Sequence, residues 1–109
     1  MRISFMGAGR VAHHLAHVLS QHHKIVQIYS RTLATAQTLA AQVKATATMN
    51  IEELNPEIDL VIIAVSDQAI ASVISNVHQQ LPNVLIVHTS GSTGIEVLAH
   101  IHARAGVFY

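Results

Sequence analysis

Residues Asp59–Val65 read DLVIIAV, a run that is apolar on both faces of a two-residue alternation. A strand with one wet face alternates apolar and polar residues. One that is apolar throughout must be covered on both sides, as a central strand of a parallel sheet is. VLIVH at Val84–His88 has the same character. RISFM at Arg2–Met6 and KIVQIYS at Lys24–Ser30 are further β-rich runs, and GVFY at Gly106–Tyr109 begins another. KATA at Lys44–Ala47 fits a third strand mainly by its place in the order of elements.

Helical spacing fills the gaps between these runs. Val11, Leu15, Val18 and His22 share a helical face, with Ala12, Ala16 and Leu19 beside them. Thr32 is placed to cap a second helix with the apolar face Leu33, Ala36, Leu39, Ala40 and Val43. Asn50 and Glu53 resemble a capping pair on one short turn, which Asn55-Pro56 closes. Ser66 and Asp67 precede a helix carrying Ile70, Val73, Ile74 and Val77, and Thr93 with Glu96 forms a capping box before Ile95, Leu98 and Ile101. Strand and helix therefore alternate, which predicts an α/β fold. It should be a doubly wound parallel sheet of order 3-2-1-4-5 in three layers, with the last run extending the edge. At 109 residues the chain is one domain.

Composition removes several function classes. Six basic residues balance six acidic ones without a basic cluster, and aromatic residues are only 4% of the chain, so no nucleic-acid footprint is present. The chain has no cysteine, which excludes disulfides and thiolate metal sites. The longest apolar run, Leu60–Val65, is too short to span a bilayer, and Gly7, Gly9 and Arg10 interrupt the first one before a secretory segment forms. The expectation is a cytoplasmic protein with no membrane or nucleic-acid partner. Charged residues make up 11%, less than half the usual share, which points to partial covering by a partner.

Chemistry concentrates where strands end. Gly7-Ala8-Gly9-Arg10-Val11-Ala12 is a G-x-G-x-x-A run between the first strand and the first helix. There the first glycine permits a tight turn and the second lets a pyrophosphate approach. The small third residue lets helix and strand pack closely. Exposed N–H groups at the helix start then face the phosphates. About twenty residues further on, NAD-binding domains place a carboxylate for the ribose hydroxyls. Here Tyr29, Ser30, Arg31 and Thr32 stand instead. A carboxylate would repel a 2′-phosphate, whereas Arg31 can bond it and Ser30 and Thr32 can add hydroxyls, so the expected cofactor is NADP. Two later loops also leave carboxyl ends of strands. Val65-Ser66-Asp67-Gln68 is expected beside the pyrophosphate and nicotinamide ribose, and His88–Gly94 (HTSGSTG) on the nicotinamide side. Ser90, Ser92 and Thr93 could bond a carboxamide or a substrate, or simply cap a helix.

The nine histidines raise a metal site and do not support one. His13 and His17 are four apart on a helix, but His14 stands where a zinc protease has glutamate, and no third ligand follows. His22, His23, His78, His100 and His102 read as substitutes for missing surface charge.

Taken together, FMGAGRVA, YSRT, DLVIIAVSD and HTSGS resemble the N-terminal NADP-binding domain of the pyrroline-5-carboxylate reductase and deazaflavin-dependent NADP oxidoreductase superfamily. They are most similar to a bacterial Rossmann-like group in which GVFYPLQTF leads into an α-helical C-terminal domain. The resemblance implies cofactor contacts at Gly7, Gly9, Arg10, Val11, Ser30, Arg31, Ser66 and Asp67. With the loops above, the candidate set adds Ala8, Thr32, Val65 and Ser90. It implies no catalytic residue, since in such reductases a helical second domain, often in a dimer, helps grip the small-molecule substrate. The expectation is therefore a fragment of an NADP-dependent oxidoreductase, inactive alone, that transfers hydride to a small imine, ketone or hydroxy acid. The competing expectations are a non-catalytic NADP(H)-sensing module and a structural remnant with a filled cleft. A poised proton donor would separate the first two, and only His88 and neighbouring hydroxyls qualify.

Overall fold

In the computed structural model, which describes residues 1–65, 67–88 and 105–107, one parallel sheet runs through the molecule. Its strands are β1 (Arg2–Met6), β2 (Lys24–Tyr29), β3 (Thr46–Thr48), β4 (Leu60–Ile63), β5 (Leu85–His88) and β6 (Ala105–Val107). They lie in the order β3-β2-β1-β4-β5-β6, all neighbours parallel, as the alternation predicts. Helices α1 (Arg10–Leu19), α2 (Leu33–Val43) and α3 (Asp67–Gln80) are joined by a short 3₁₀ turn, Ile51–Glu53.

The order reverses at β1, where the chain crosses from one half of the sheet to the other, and the two faces carry separate cores. On one face Ile3, Phe5, Ile25, Ile28 and Ile62 pack against Ala12, Ala16, Ala36, Leu39 and Ala40 of α1 and α2. On the other, Met6, Val61, Ile63 and Ile86 meet Val73, Ile74 and Val77 of α3 and Ile51 and Leu54 of the 3₁₀ segment. Residues Val61, Ile62 and Ile63 of β4 are all fully buried, because consecutive side chains enter opposite cores.

Several local expectations change. The first helix buries Ala12 and Ala16 completely while Val11 and Val18 stand about half exposed. Small side chains let this helix approach the sheet closely, so the stripe rotates away from the larger residues. Leu33 likewise stays outside the α2 face. Lys44 is not in β3 but ends α2 in the left-handed conformation, φ 59°, with the Ala45 amide donating to the Ala40 carbonyl at 2.8 Å. The Thr32 side chain makes no capping bond; only its carbonyl accepts, from the Ala36 amide at 3.3 Å. Asn50 does not cap either, and its Nδ2 donates instead to the Glu53 carboxylate at 2.8 Å. The strand read at Asp59–Val65 narrows to Leu60–Ile63. The capping box at Thr93 and Glu96, and the helix after it, lie outside the described residues.

Candidate functional site

At the carboxyl edge of the sheet, β1 turns into α1 through Gly7, Ala8 and Gly9, and the two glycines have different causes. Gly7 adopts φ +113°, and a Cβ there would collide with the Ala64 carbonyl just past β4. Its amide donates to the Tyr29 carbonyl at 2.7 Å, which ties the turn to the end of β2. The fold itself requires that glycine. Gly9 is different: its φ of −83° suits any residue, and a Cβ on it would meet nothing within 4 Å. No packing partner explains the missing side chain, so the open space above Gly9 is what a bound group would use.

Gly9 is the N-cap of α1 and supplies no side-chain cap, and the first turn holds no acidic residue. The first intrahelical bond runs from the His13 amide to the Gly9 carbonyl at 2.9 Å. The earlier amides of the turn therefore have no acceptor within the helix and sit at its positive end. An anion fits such a place. Ala12 is fully buried, in keeping with close packing of helix on strand. Arg10 and Val11 are exposed beside this cradle.

The turn after β2 lies next to it. Ser30 is half-buried, with its amide donating to the Thr48 carbonyl at 3.1 Å and its hydroxyl accepting from the Thr32 amide at 3.2 Å. Arg31, between them, is exposed, and among the described residues nothing holds its guanidinium. No carboxylate occupies this turn. Ser30, Arg31 and Thr32 are thus brought together with Gly7–Val11 along one edge. Val65 lies half-buried just past β4, and Asp67 opens α3. Ser66 and Ser90 lie outside the described residues, as do Ser92 and Thr93. His88, the candidate proton donor, is fully buried at the end of β5.

Sequence reading missed a groove of about 280 Å³ on the α3 face, lined by Tyr29, Met49, Asn50, Ile51 and Glu52 and by amide side chains of α3. Its one sequence signal is an outer face of α3 bearing Asn and Gln where a helix usually shows charges. Among the described residues no group of three or more His, Asp or Glu could hold a metal ion, and no helix is long and apolar enough to cross a membrane.

The sequence pattern of the Rossmann-like domain family matches residues 1–108. The chain belongs to that family. A proposed NADP oxidoreductase from Bacteroides fragilis has a solved structure that superposes with a TM-score of 0.93 at 36% identity, over 99% of this chain and 43% of that one. Biliverdin reductase from Synechocystis, solved with biliverdin and NADP+, superposes at 0.76 with 19% identity, over 97% of this chain and 37% of its own. Prephenate dehydrogenase from A. aeolicus, solved with NAD+, superposes at 0.84 with 14% identity, over 97% of this chain and 40% of its own. The last two share only the fold. This Rossmann-like domain spans less than half the length of all three. No functionally curated protein matches it.

Proposed function

We propose that this Rossmann-like domain binds NADP(H) as the cofactor half of an oxidoreductase that transfers hydride to a small imine, ketone or hydroxy acid. One observation carries the reading. The uncapped start of α1 opens onto unfilled space above Gly9, in line with an unpaired Arg31 at the neighbouring strand end. In this assignment Gly7 shapes the turn, the first amides of α1 receive the pyrophosphate, and Arg31 with Ser30 and Thr32 takes the 2′-phosphate. Val65 and Asp67 would follow the pyrophosphate toward the nicotinamide, and the sequence pattern assigns Ser66 and Ser90 to the same side. When bound, the cofactor supplies the hydride; the protein orients it.

The relation to the Bacteroides fragilis protein supports the oxidoreductase class. The burial of His88 favours a second reading, in which the domain senses NADP(H) and has no acid of its own at the reacting edge. Titrating NADPH and NADH against the chain at low and moderate salt tests the assignment. NADPH should bind more tightly, and its advantage should shrink as salt screens the phosphate contact. A preference for NADH would end the NADP assignment, and binding of neither would end the nucleotide reading altogether.

A further inference from the structure

Helices α1 and α2 lie on the same face of the sheet, where Ala16 of the first shares a core with Leu39, Ala40 and Val43 of the second. The residues beside that core, His17 and Gln42, stand exposed at its rim. His17 Nε2 and Gln42 Oε1 are 2.7 Å apart, although 25 residues separate them in the chain. An amide oxygen only accepts, so this nitrogen carries the ring proton and donates it. One turn earlier on α1, His13 is half-buried, and its ring centroid lies 6.4 Å from that of His17. Spacing along α1 offers two nitrogen ligands and no third. The packing of α2 brings an oxygen ligand to them.

We propose that His13, His17 and Gln42 form a surface site for a first-row divalent metal ion, zinc in particular, which clips α1 to α2. Imidazole nitrogen suits such ions, and residues four apart on a helix project from one face. The neutral His17 ring can move its proton to Nδ1. That frees the Nε2 lone pair for the ion at the spot where Gln42 already presents an oxygen. Two rings and an amide make three ligands, and the exposed setting lets water take the fourth position of a tetrahedral ion. The adjustment is small. Ligand atoms about 2.1 Å from such an ion stand roughly 3.4 Å apart and hold two ring centroids roughly 5 Å apart. Side-chain rotation at a helix surface covers both changes. The site is also separate from the turn at Gly9, since His17 lies about two helical turns beyond it, roughly 12 Å along the axis. It does not depend on the nucleotide reading.

Zinc alone, titrated into the nucleotide-free chain, tests this by calorimetry and thermal melting. Wild type should bind one ion saturably and melt at a higher midpoint, because an ion held by two helices stabilises the state in which they are packed. His17→Ala should lose both the binding and the rise. A His22→Ala/His23→Ala control, which alters histidines outside the site, should keep them. Gln42→Ala should weaken zinc roughly tenfold or more. Gln42→Glu should tighten it, because a carboxylate there meets the charge of the ion. No saturable zinc binding by wild type overturns the proposal, as does binding that survives His17→Ala or vanishes in the control. Indifference to both Gln42 substitutions removes the ligand from α2, and the clip with it. Alanine favours an exposed helical position, so the His17 variant should fold, and its zinc-free melt checks that.

Discussion

Arg31 stands between two residues whose hydrogen bonds already fix the turn: Ser30 is held by Thr48 and in turn holds the Thr32 amide. The arginine contributes nothing visible to the fold, so its replacement isolates binding. Arg31→Ala should weaken NADPH by about 1.5–3 kcal/mol, the range for a hydrogen bond to a charged group. That is roughly a tenfold to hundredfold loss, with NADH scarcely affected, in a direct titration of both nucleotides. Equal losses would reduce Arg31 to a surface residue. The paired glycines give a second contrast. Gly7→Ala forces a Cβ into the Ala64 carbonyl at a positive φ, and should lower unfolding stability by about 3 kcal/mol or more. Gly9→Ala meets open space and should cost less than about 1 kcal/mol as a change of N-cap. It should nevertheless weaken NADPH binding, because its methyl group projects where the pyrophosphate must approach. Denaturant melts and cofactor titrations on both variants check the contrast; Gly9→Ala with unchanged affinity would remove the phosphate from that turn.

At the scale of elements, the crossover between β3 and β4 is the part with least regular structure and most side-chain anchoring. Buried Gln27 donates from Nε2 to the Glu53 carbonyl at 2.9 Å and accepts from the Asn55 amide, clamping the 3₁₀ segment onto β2. Glu53 Oε1 accepts from Asn50 Nδ2 at 2.8 Å and from Thr48 Oγ1 at 3.1 Å. These bonds, Asn50 first and Thr48 second, hold its carboxyl below the ordinary glutamate value of 4.5. A carboxyl depressed on folding adds stability above its unfolded pKa, and that increment is lost as pH falls through the folded value. Wild type should therefore exceed Glu53→Gln in stability at neutral pH, and the gap should narrow below pH 4.5. A gap independent of pH in denaturant melts would mean the ionised form is not what matters. None of this anchoring was legible in the sequence, where Asn50 and Glu53 suggested a capping pair. The sheet order and β4 were legible, because runs like Val61–Ile63 permit burial only on both faces. The glycine turn between β1 and α1 was legible because its residues are contiguous. The exposed placement of Val11 and Val18 was not, since spacing alone cannot tell that Ala12 and Ala16 bring the helix close. The α3 groove joins residues from 29, 49 and 76 onward, and no local window contains it.

At the scale of the whole molecule, the described residues make the candidate site an edge and not an enclosed cavity. The cradle at Gly9 is open, Arg31 is exposed, and Val11, Leu33 and Met49, at or beside the carboxyl edge, keep large apolar side chains uncovered. An edge of this kind can bind and orient a dinucleotide. It cannot by itself exclude water from a transferring hydride or hold an acceptor in line, both of which a reductase requires. His88, the one histidine at a strand end there, is buried. The 109-residue chain spans 43% of its Bacteroides fragilis relative, which leaves most of that protein's length to supply a second wall. The expected outcome is therefore a separation of binding from chemistry. Expressed alone, the chain should bind NADPH and shift its fluorescence, yet oxidise it no faster than buffer does when small imines, ketones or hydroxy acids are present. The control is Gly9→Ala, which should lose the fluorescence shift and leave the background rate unchanged. Turnover by the wild-type chain that disappears in Gly9→Ala would show that this edge holds both cofactor and substrate. The catalytic acid would then have to lie within these 109 residues, and the hydroxyls that follow His88 would be the first to replace.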